Sequence, residues 1–569
     1  MVPIYLLAGS FLCSLWLVRL AYKRLTKRSI DYLPGPPSGP WIVGNYPDIV
    51  RPNEMGDSEL SWVKEYGTTL RIKHTFGRDR IFTTDPKALQ YILNTSGYNF
   101  PKPNENRIGS EMLLGRGLVW AEGSQHARQR KIMNPAFSFA ALRGFLPLFR
   151  RTAQRAVNKL KDDIFTGSDS KVVNIKQWLS LTTLDAIGEG KYHSLPSDTN
   201  SMLSIKVVVA NWQMHIRTYC MHYLNFLLPA GYLILSVVSS IDTFTDRSDL
   251  SLAFTTSLAF FPAWLVHLIF RIPAGRFKRL RDYLTVSREV AQDIIDKQTS
   301  LYIDGKEGSK DVMSILVRAN LSEDPKSKLS VEEILPQMTT LFLAGHDTTA
   351  LTCSWALYQL SRNLDYQRLI REEIKATRVV AADRGDSELT IADLDSMKYL
   401  LAAMKETLRY HPIVTVSVRE AARDDVIPLA IPQKTKTGES ITGVPVSKGQ
   451  SFVLSLMAYN RLPEVWGPDA NQWRPERFLE GVQLEGYQQI NLGVISNVAT
   501  FSSGLRSCIG WRFAILEMQA ILIEMLESFE FSPPPGDIEI ILGPAGLMTP
   551  MIKGAKPRKS ELPLTMTPL

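Results

Sequence analysis

One short stretch limits this 569-residue chain more than any other: FSSGLRSCIG, residues 501–510, followed at once by the apolar run WRFAILEMQAILIEML. The run has helical period, so it reads as a helix starting just after Cys508. Gly504 and Gly510 permit a tight turn whose backbone can approach a neighbour closely. A helix start adds unpaired N–H groups and the positive end of a dipole, and Arg506 adds a full charge. Those are the surroundings a thiolate needs. A free cysteine is ordinarily a small buried hydrophobe, but this turn is built for an ionised sulfur.

The other three cysteines, Cys13, Cys220 and Cys353, are scattered and form no C-x2-C unit. Structural zinc and a disulfide framework are therefore not expected, and reducing surroundings are. With 45% hydrophobic and 21% charged residues the chain can bury a large core. Its net charge of +8 suits an anionic membrane surface or an acidic protein partner. No basic cluster is interleaved with aromatics, so no nucleic acid partner is expected.

The chain opens with MVPIYLLAGSFLCSLWLV, an uncharged run long enough to cross a bilayer as a helix. Residues 1–22 are predicted to be a single transmembrane signal-anchor. Arg19, Lys23, Arg24, Lys27 and Arg28 flank its C-terminal side, which keeps everything after it in the cytosol. There is no basic n-region and no small-x-small cleavage site, against a removed signal peptide. Residues 23–44 are basic and proline-rich, with LPGPPSGP reading as a stiff hinge. Residues 45–569 then form the body.

The body is mainly α with a small β region, its strands expected at TLRIKHTF (69–76) and RIFTTD (80–85). GRGLVW (115–120) lacks the third glycine of a dinucleotide fingerprint, so any nicotinamide or flavin belongs to another protein. Two nearly uncharged runs, 223–241 and 250–270, are interrupted by Asn225, Pro229, Gly231, Pro262 and His267. Such breaks favour buried helices or a surface dipping into the bilayer over clean spans. Ser330 and Glu333 form a capping box ahead of a helix of about 30 residues, or roughly 45 Å. Pro336 offers an alternative start. In its middle, AGHDTT (344–349) sets small and polar residues into an apolar helix, which costs stability unless something uses them.

Phe501, Gly504, Arg506, Cys508 and Gly510 match the haem-binding signature of the cytochrome P-450 family, which the chain resembles over essentially its whole length. AGHDTT resembles the family's oxygen-activating segment, ETLR (406–409) its E-x-x-R motif, and PERF (475–478) follows in order. The resemblance implies the cytochrome P-450 fold behind a membrane anchor, with haem b as cofactor and Cys508 as axial ligand to its iron. Thiolate ligation pushes electron density that favours O–O cleavage. Asp347 and Thr348 are then the acid and alcohol that deliver protons, while Ala344 and Gly345 leave room for dioxygen. The Thr348 hydroxyl can also bond back to its own helix. Glu406 and Arg409, which alone would be a weak i,i+3 pair, join Arg477 in a buried structural triad. Arg506 and Arg130 meet the haem propionates, with His126, which stands where tryptophan is commonest, and Arg419.

The expected function is insertion of one oxygen atom from O2 into an apolar small molecule, terpenoid, steroid-like or polycyclic aromatic. Electrons come from NADPH through a separate NADPH-cytochrome reductase on the same membrane, taken to be the endoplasmic reticulum. Fungal microsomal members are the most similar in character, where secondary metabolism and oxidation of foreign aromatics are both common. Substrate contacts are expected before Arg130, in the odd apolar region, around Phe342 and Ala344, and along Ile413 to Val418. Two rivals stand beside this reading: a haem-thiolate isomerase or dehydratase, and a non-catalytic membrane haem protein.

Overall fold

The computed structural model describes residues 29–165, 169–192, 329–479, 487, 490–544, 546–556 and 558–569, with scattered positions between 265 and 300. The expected anchor (1–22), the run 223–241 and all but three positions of the run 250–270 lie outside the described residues. Among the described residues, no single helix is long and apolar enough to cross a membrane.

The second half of the proline-rich segment is laid on the body. Ile30, Leu33 and Val43 are buried, the Arg71 N–H donates to Pro34 O, and the Lys436 N–H donates to Tyr32 O. A Cβ at Gly35 would lie 1.9 Å from Arg71 O, so that glycine lets the segment press against a strand. Its stiffness comes from this docking as well as from its prolines.

The two expected strands form as β1 (Thr69–Lys73) and β2 (Asp79–Thr83). They pair antiparallel from Thr69 opposite Thr83 to Lys73 opposite Asp79. With β3 (Val416–Glu420) and β4 (Ser451–Ser455) they make a four-stranded sheet ordered β1-β2-β4-β3. The strand ends at Lys73, earlier than its sequence suggested, because Phe76 (φ 58°) and Gly77 (φ 66°) turn the chain back.

The helices that build the site are, in order, α1 (Asn104–Leu114), α2 (Gly123–Met133), α3 (Phe139–Ile164), α4 (Ile175–Tyr192), α5 (Val331–Ser361), α6 (Lys398–Tyr410) and α7 (Trp511–Ser528). Helix α5 begins at Val331, with the Glu333 carboxylate accepting from the Ser330 N–H at 3.2 Å. The alternative start at Pro336 is not adopted. Pro336 packs instead under Gly115, where a Cβ would come within 2.8 Å of the proline ring. Glu333 also accepts from Arg128 and Gln129, tying α2 to the start of α5. The middle of α5 lies against α4 and α7. Helix α7 is buried almost all round, and its Phe513 meets Phe145 and Phe149 of α3 edge-on.

The expected triad assembles. The Arg409 guanidinium donates twice to Glu406, each at 2.7 Å, and both side chains are fully buried. Its remaining N–H groups donate to the carbonyls of Asn460, Ala470 and Gln472. Arg477 stands 3.6 Å from Glu406 and 3.0 Å from Asp469, a fourth member not read from the sequence. Removing one charge strands the other in a dry interior. Glu406→Gln and Arg409→Met are each expected to cost ~3–5 kcal/mol, read as a lower melting temperature and a lower folded yield; melting unchanged in both would contradict this assignment.

Candidate active site

The cysteine loop is built from two single turns. Ala499–Phe501 and Gly504–Arg506 are short 3-10 helices, and the Cys508 N–H donates to Phe501 O at 2.8 Å, closing the loop on itself. Gly504 has φ +64°, and a Cβ there would lie 2.2 Å from Leu93 O. Its missing Cβ lets the loop come close to the Tyr91–Thr95 turn. At Gly510 a Cβ would make ordinary contact with Phe137. Its backbone N–H lowers the pKa of the thiol, and α7 starts directly behind it.

The loop is held from below through the buried triad. Asn460, whose carbonyl accepts from Arg409, uses its side chain to accept from the Ala499 N–H at 2.9 Å and to donate to Thr500 Oγ1 at 3.0 Å. Thr500 in turn donates to Leu408 O of α6. The chain of bonds runs from Glu406–Arg409 to the residue before Phe501.

The Cys508 side chain is accessible, yet protein surrounds it closely enough for burial to push the thiol pKa up. Both hold if the sulfur opens onto an interior space rather than the outer surface. The Gly510 N–H and the Arg130 guanidinium pull the pKa back down. Ala344 is likewise exposed although its neighbours His346, Asp347 and Thr349 are buried, as expected for a helix face bordering such a space.

Around the loop the cations outnumber the anions. Lys102, Arg130, Arg419 and Arg506 sit close enough to perturb one another or His126, with Arg107 beyond. Glu122 pairs with Lys102 at 3.5 Å and with Arg506. Among the described residues, Arg130 and Arg419 pair with no carboxylate. Arg130 donates to Ser507 O at 2.6 Å, and Arg419 to Ser417 Oγ and Val418 O. Burial brings Arg419 and Arg506 down to about 10, and Arg506 keeps one buried nitrogen without a partner. Burial, and then Lys102, Arg130 and Arg419, bring His126 down to about 4, so its ring is neutral. The Tyr98 hydroxyl and His126 Nδ1 share a hydrogen bond at 2.8 Å, and a neutral ring keeps one N–H to donate. Buried, underpaired cations are costly; this cluster wants an anion with more than one carboxylate.

These features fit haem. One sulfur is accessible, and no group of three or more His, Cys, Asp or Glu among the described residues could hold a bare metal ion. Iron held here needs equatorial ligands of its own, and two propionates answer the surplus charge.

On α5, the Thr348 hydroxyl donates to Ala344 O at 2.6 Å, as its sequence position allowed. Gly345 is used in packing. Its missing Cβ is needed by α4, since an added one would lie 2.7 Å from Ile187 Cδ1. The room for dioxygen falls to Ala344 alone of that pair. Asp347 is buried and turned toward α4, where Ser180 Oγ donates to it at 3.3 Å and Lys176 Nζ stands at 3.7 Å. Burial alone would raise its pKa, but His346, Lys176 and Ser180 outweigh it and hold the carboxyl below its ordinary value. Of the expected substrate positions, Val414 and Phe342 are half-buried, whereas Ile413, Val416 and Val418 are core and Ser417 is occupied by Arg419.

Sequence reasoning missed Lys102, Tyr98, Glu122, Asn460 and Glu517. Lys102 did carry a signal: it lies between Pro101 and Pro103, a rigid pair that fixes where a long side chain can reach. Glu517, on α7 beside Thr349 and Cys353 of α5, is fully buried with no well-formed hydrogen bond, and burial pushes it up to about 8.

A family model described as Cytochrome P450 matches residues 34–226 and 236–555. Cytochrome P-450 monooxygenase 128 of Postia placenta is 31% identical over 94% of this chain and 91% of its own length. The ganoderic acid synthetase of Ganoderma lucidum is 32% identical over 91% and 90%. The monooxygenase claW of Ampulloclitocybe clavipes is 29% identical over 97% and 95%.

Glu517 gives a pH prediction. Its folded pKa is raised, so the folded state holds a proton that the unfolded chain releases, and stability falls as pH rises from about 4.5 to about 8. The slope approaches ~1.4 kcal/mol per pH unit inside that window. Glu517→Gln is expected to flatten melting temperature against pH between those values; an unchanged slope would show that the carboxyl is not buried as an acid.

Proposed function

Because the chain belongs to the cytochrome P-450 family, and so is a haem-b monooxygenase, we propose that it is a membrane-anchored enzyme that inserts one oxygen atom from O2 into an apolar, polycyclic or terpenoid-like molecule. The observation that carries this reading is one accessible thiol in a turn that α7 follows directly, with Arg130 bonded to the carbonyl of Ser507 beside it, together with an exposed Ala344 on α5 between buried neighbours. When bound, haem with a thiolate on its iron supplies the activation of dioxygen and the cleavage of its O–O bond.

The residues divide the remaining work. Cys508 would hold the iron, and Lys102, Arg130, Arg419, Arg506 and His126 would hold the carboxylates. Ala344 leaves clearance on the helix above. Thr348 stands one helical turn from Ala344 and offers a hydroxyl that can hold a proton there, and Asp347 is the acid next to it. Val414 and Phe342 offer apolar surface with few polar anchors, which selects by shape and apolar area.

Electrons would come from NADPH through a separate reductase. Lys131, Arg143 and Arg512 are exposed on α2, α3 and the start of α7, and Leu505 of the cysteine loop is exposed as well. Exposed cations and an exposed apolar residue suit an acidic flavoprotein. The uncharged N-terminal run with its basic flank supports anchoring in the endoplasmic reticulum with the body in the cytosol. Relatives of fungal origin, one of them named as a ganoderic acid synthetase, support a role in secondary metabolism.

The test uses full-length protein in membranes with NADPH-cytochrome reductase and a panel of polycyclic and terpenoid compounds. Thr348→Val is expected to keep consuming NADPH while product per NADPH falls ~10-fold or more, the difference leaving as hydrogen peroxide. An undiminished yield would remove Thr348 from the proton path; no product from any apolar compound would remove the substrate class.

A further inference from the structure

Most hydroxyls of α5 are returned to their own helix. Thr339 Oγ1 donates to Leu335 O at 3.3 Å, Thr348 to Ala344 O at 2.6 Å, Thr352 to Thr348 O at 2.8 Å and Ser354 to Ala350 O at 2.7 Å. Each uses the carbonyl four residues earlier. Thr340 does not. Its Oγ1 is buried and, among the described residues, has no hydrogen-bond partner. The carbonyl it would use is that of Pro336, against which Gly117 packs so closely that an added Cβ would lie 3.1 Å from the oxygen. A buried hydroxyl left without a partner opposes folding, so its presence calls for a use.

Thr340, Ala344 and Thr348 recur every fourth residue and share one ridge of α5. Ala344 is exposed, and half-buried Leu341 lies three residues before it on the same side. Gln337 is also on that side, but its amide is spent: it accepts from the Leu118 N–H at 2.9 Å and donates to Gln129 Oε1 at 3.1 Å. Thr348 is spent on Ala344 O. Among the described residues of this ridge, Thr340 carries the polar group that the fold leaves over. Thr340 is 6% exposed, and that opening is not at the oxygen. Rotation about χ1 exchanges its hydroxyl and methyl, and a helical threonine uses both wells. The ridge holds no charged side chain, so it suits a neutral oxygen rather than a carboxylate or an amine. A hydroxyl both donates and accepts, which admits an alcohol or a ketone.

We propose that Thr340 is a substrate contact whose hydroxyl binds one alcohol or ketone oxygen on an otherwise apolar skeleton. Four residues of helix rise about 6 Å and eight about 12 Å. A fused-ring skeleton held by its oxygen at Thr340 spans that distance and presents a remote carbon beside Ala344 and Thr348. The substrate therefore reaches this enzyme after a reaction that has already placed an oxygen on the skeleton. This deepens the reading of an apolar, polycyclic or terpenoid-like substrate and rests on it.

Three matched pairs of probes test the contact: 2-naphthol and naphthalene, phenanthrol and phenanthrene, cholestanol and cholestane. Binding to the full-length haem-loaded enzyme is read from the change in Soret absorption, and turnover from product per NADPH in reductase-containing membranes. The wild type is expected to bind the alcohol of at least one pair ~10-fold or more tighter than its hydrocarbon. Thr340→Val keeps the shape and removes the oxygen. It should weaken that alcohol ~3- to 10-fold, leave the hydrocarbon unchanged and spread oxidation over more carbons, while Thr340→Ser keeps the preference. Melting gives a readout apart from turnover: with a partnerless hydroxyl removed, Thr340→Val should melt no lower than wild type.

A Thr340→Val enzyme that keeps the alcohol preference, or that melts lower because the hydroxyl was already bonded within the fold, would overturn the contact and leave the monooxygenase reading standing. A wild type that binds and oxidises each hydrocarbon as well as its alcohol would do the same. Failure of every compound to bind or be oxidised would remove the apolar polycyclic class, and the contact with it.

Discussion

The bidentate pair between Glu406 and Arg409 is the contact on which the rest of the site hangs. It is dry, and its geometry is saturated by backbone: three carbonyls accept from the arginine, and the Arg474 N–H donates to the glutamate. A buried ion pair stabilises little against an apolar substitute, yet it is unforgiving of displacement. Here that rigidity is passed on through Asn460 and Thr500 to the turn that closes on Cys508. A sulfur that must meet a metal at a fixed place is thus set by hydrogen bonds rather than by the loop's own preferences. Ser502, a non-glycine residue at φ 58°, lies within that loop and is a conformation that surrounding contacts must sustain.

Above this frame the site is organised by charge. Among the described residues, Glu122 pairs with Lys102 and Arg506 while Arg130 and Arg419 pair with no carboxylate, and burial strips water from all four cations. Such a cluster opposes folding when empty and favours a dianionic ligand when filled, so cofactor binding and stability are linked. Helix α5 offers small volume rather than charge: Ala344 is exposed, while the glycine beside it is spent on packing against Ile187.

Much of this was legible in the sequence because the determinants are local. The capping box at Ser330 and Glu333, the strands around residues 69 and 80, and the helix behind Cys508 depend on residues near one another in the chain. What was hidden depends on contacts across the fold. Nothing in the spacing shows that Gly345 faces Ile187, 158 positions away by subtraction, that Asp347 turns to Lys176, or that Asn460 braces the loop. Gly504 was legible as a required glycine but for a different reason, since the backbone it must clear belongs to Leu93. The proline-rich segment likewise reads as a spacer until its docking on β1 is seen.

The central claim is that Cys508, as a thiolate, holds haem iron. Its most direct test is the carbon monoxide difference spectrum of the reduced, membrane-expressed protein, with Cys508→His beside it. A strongly red-shifted Soret band in the wild type that is lost in the variant is the expected result. A folded wild type that binds haem without that band, or a variant that keeps it, would contradict the assignment.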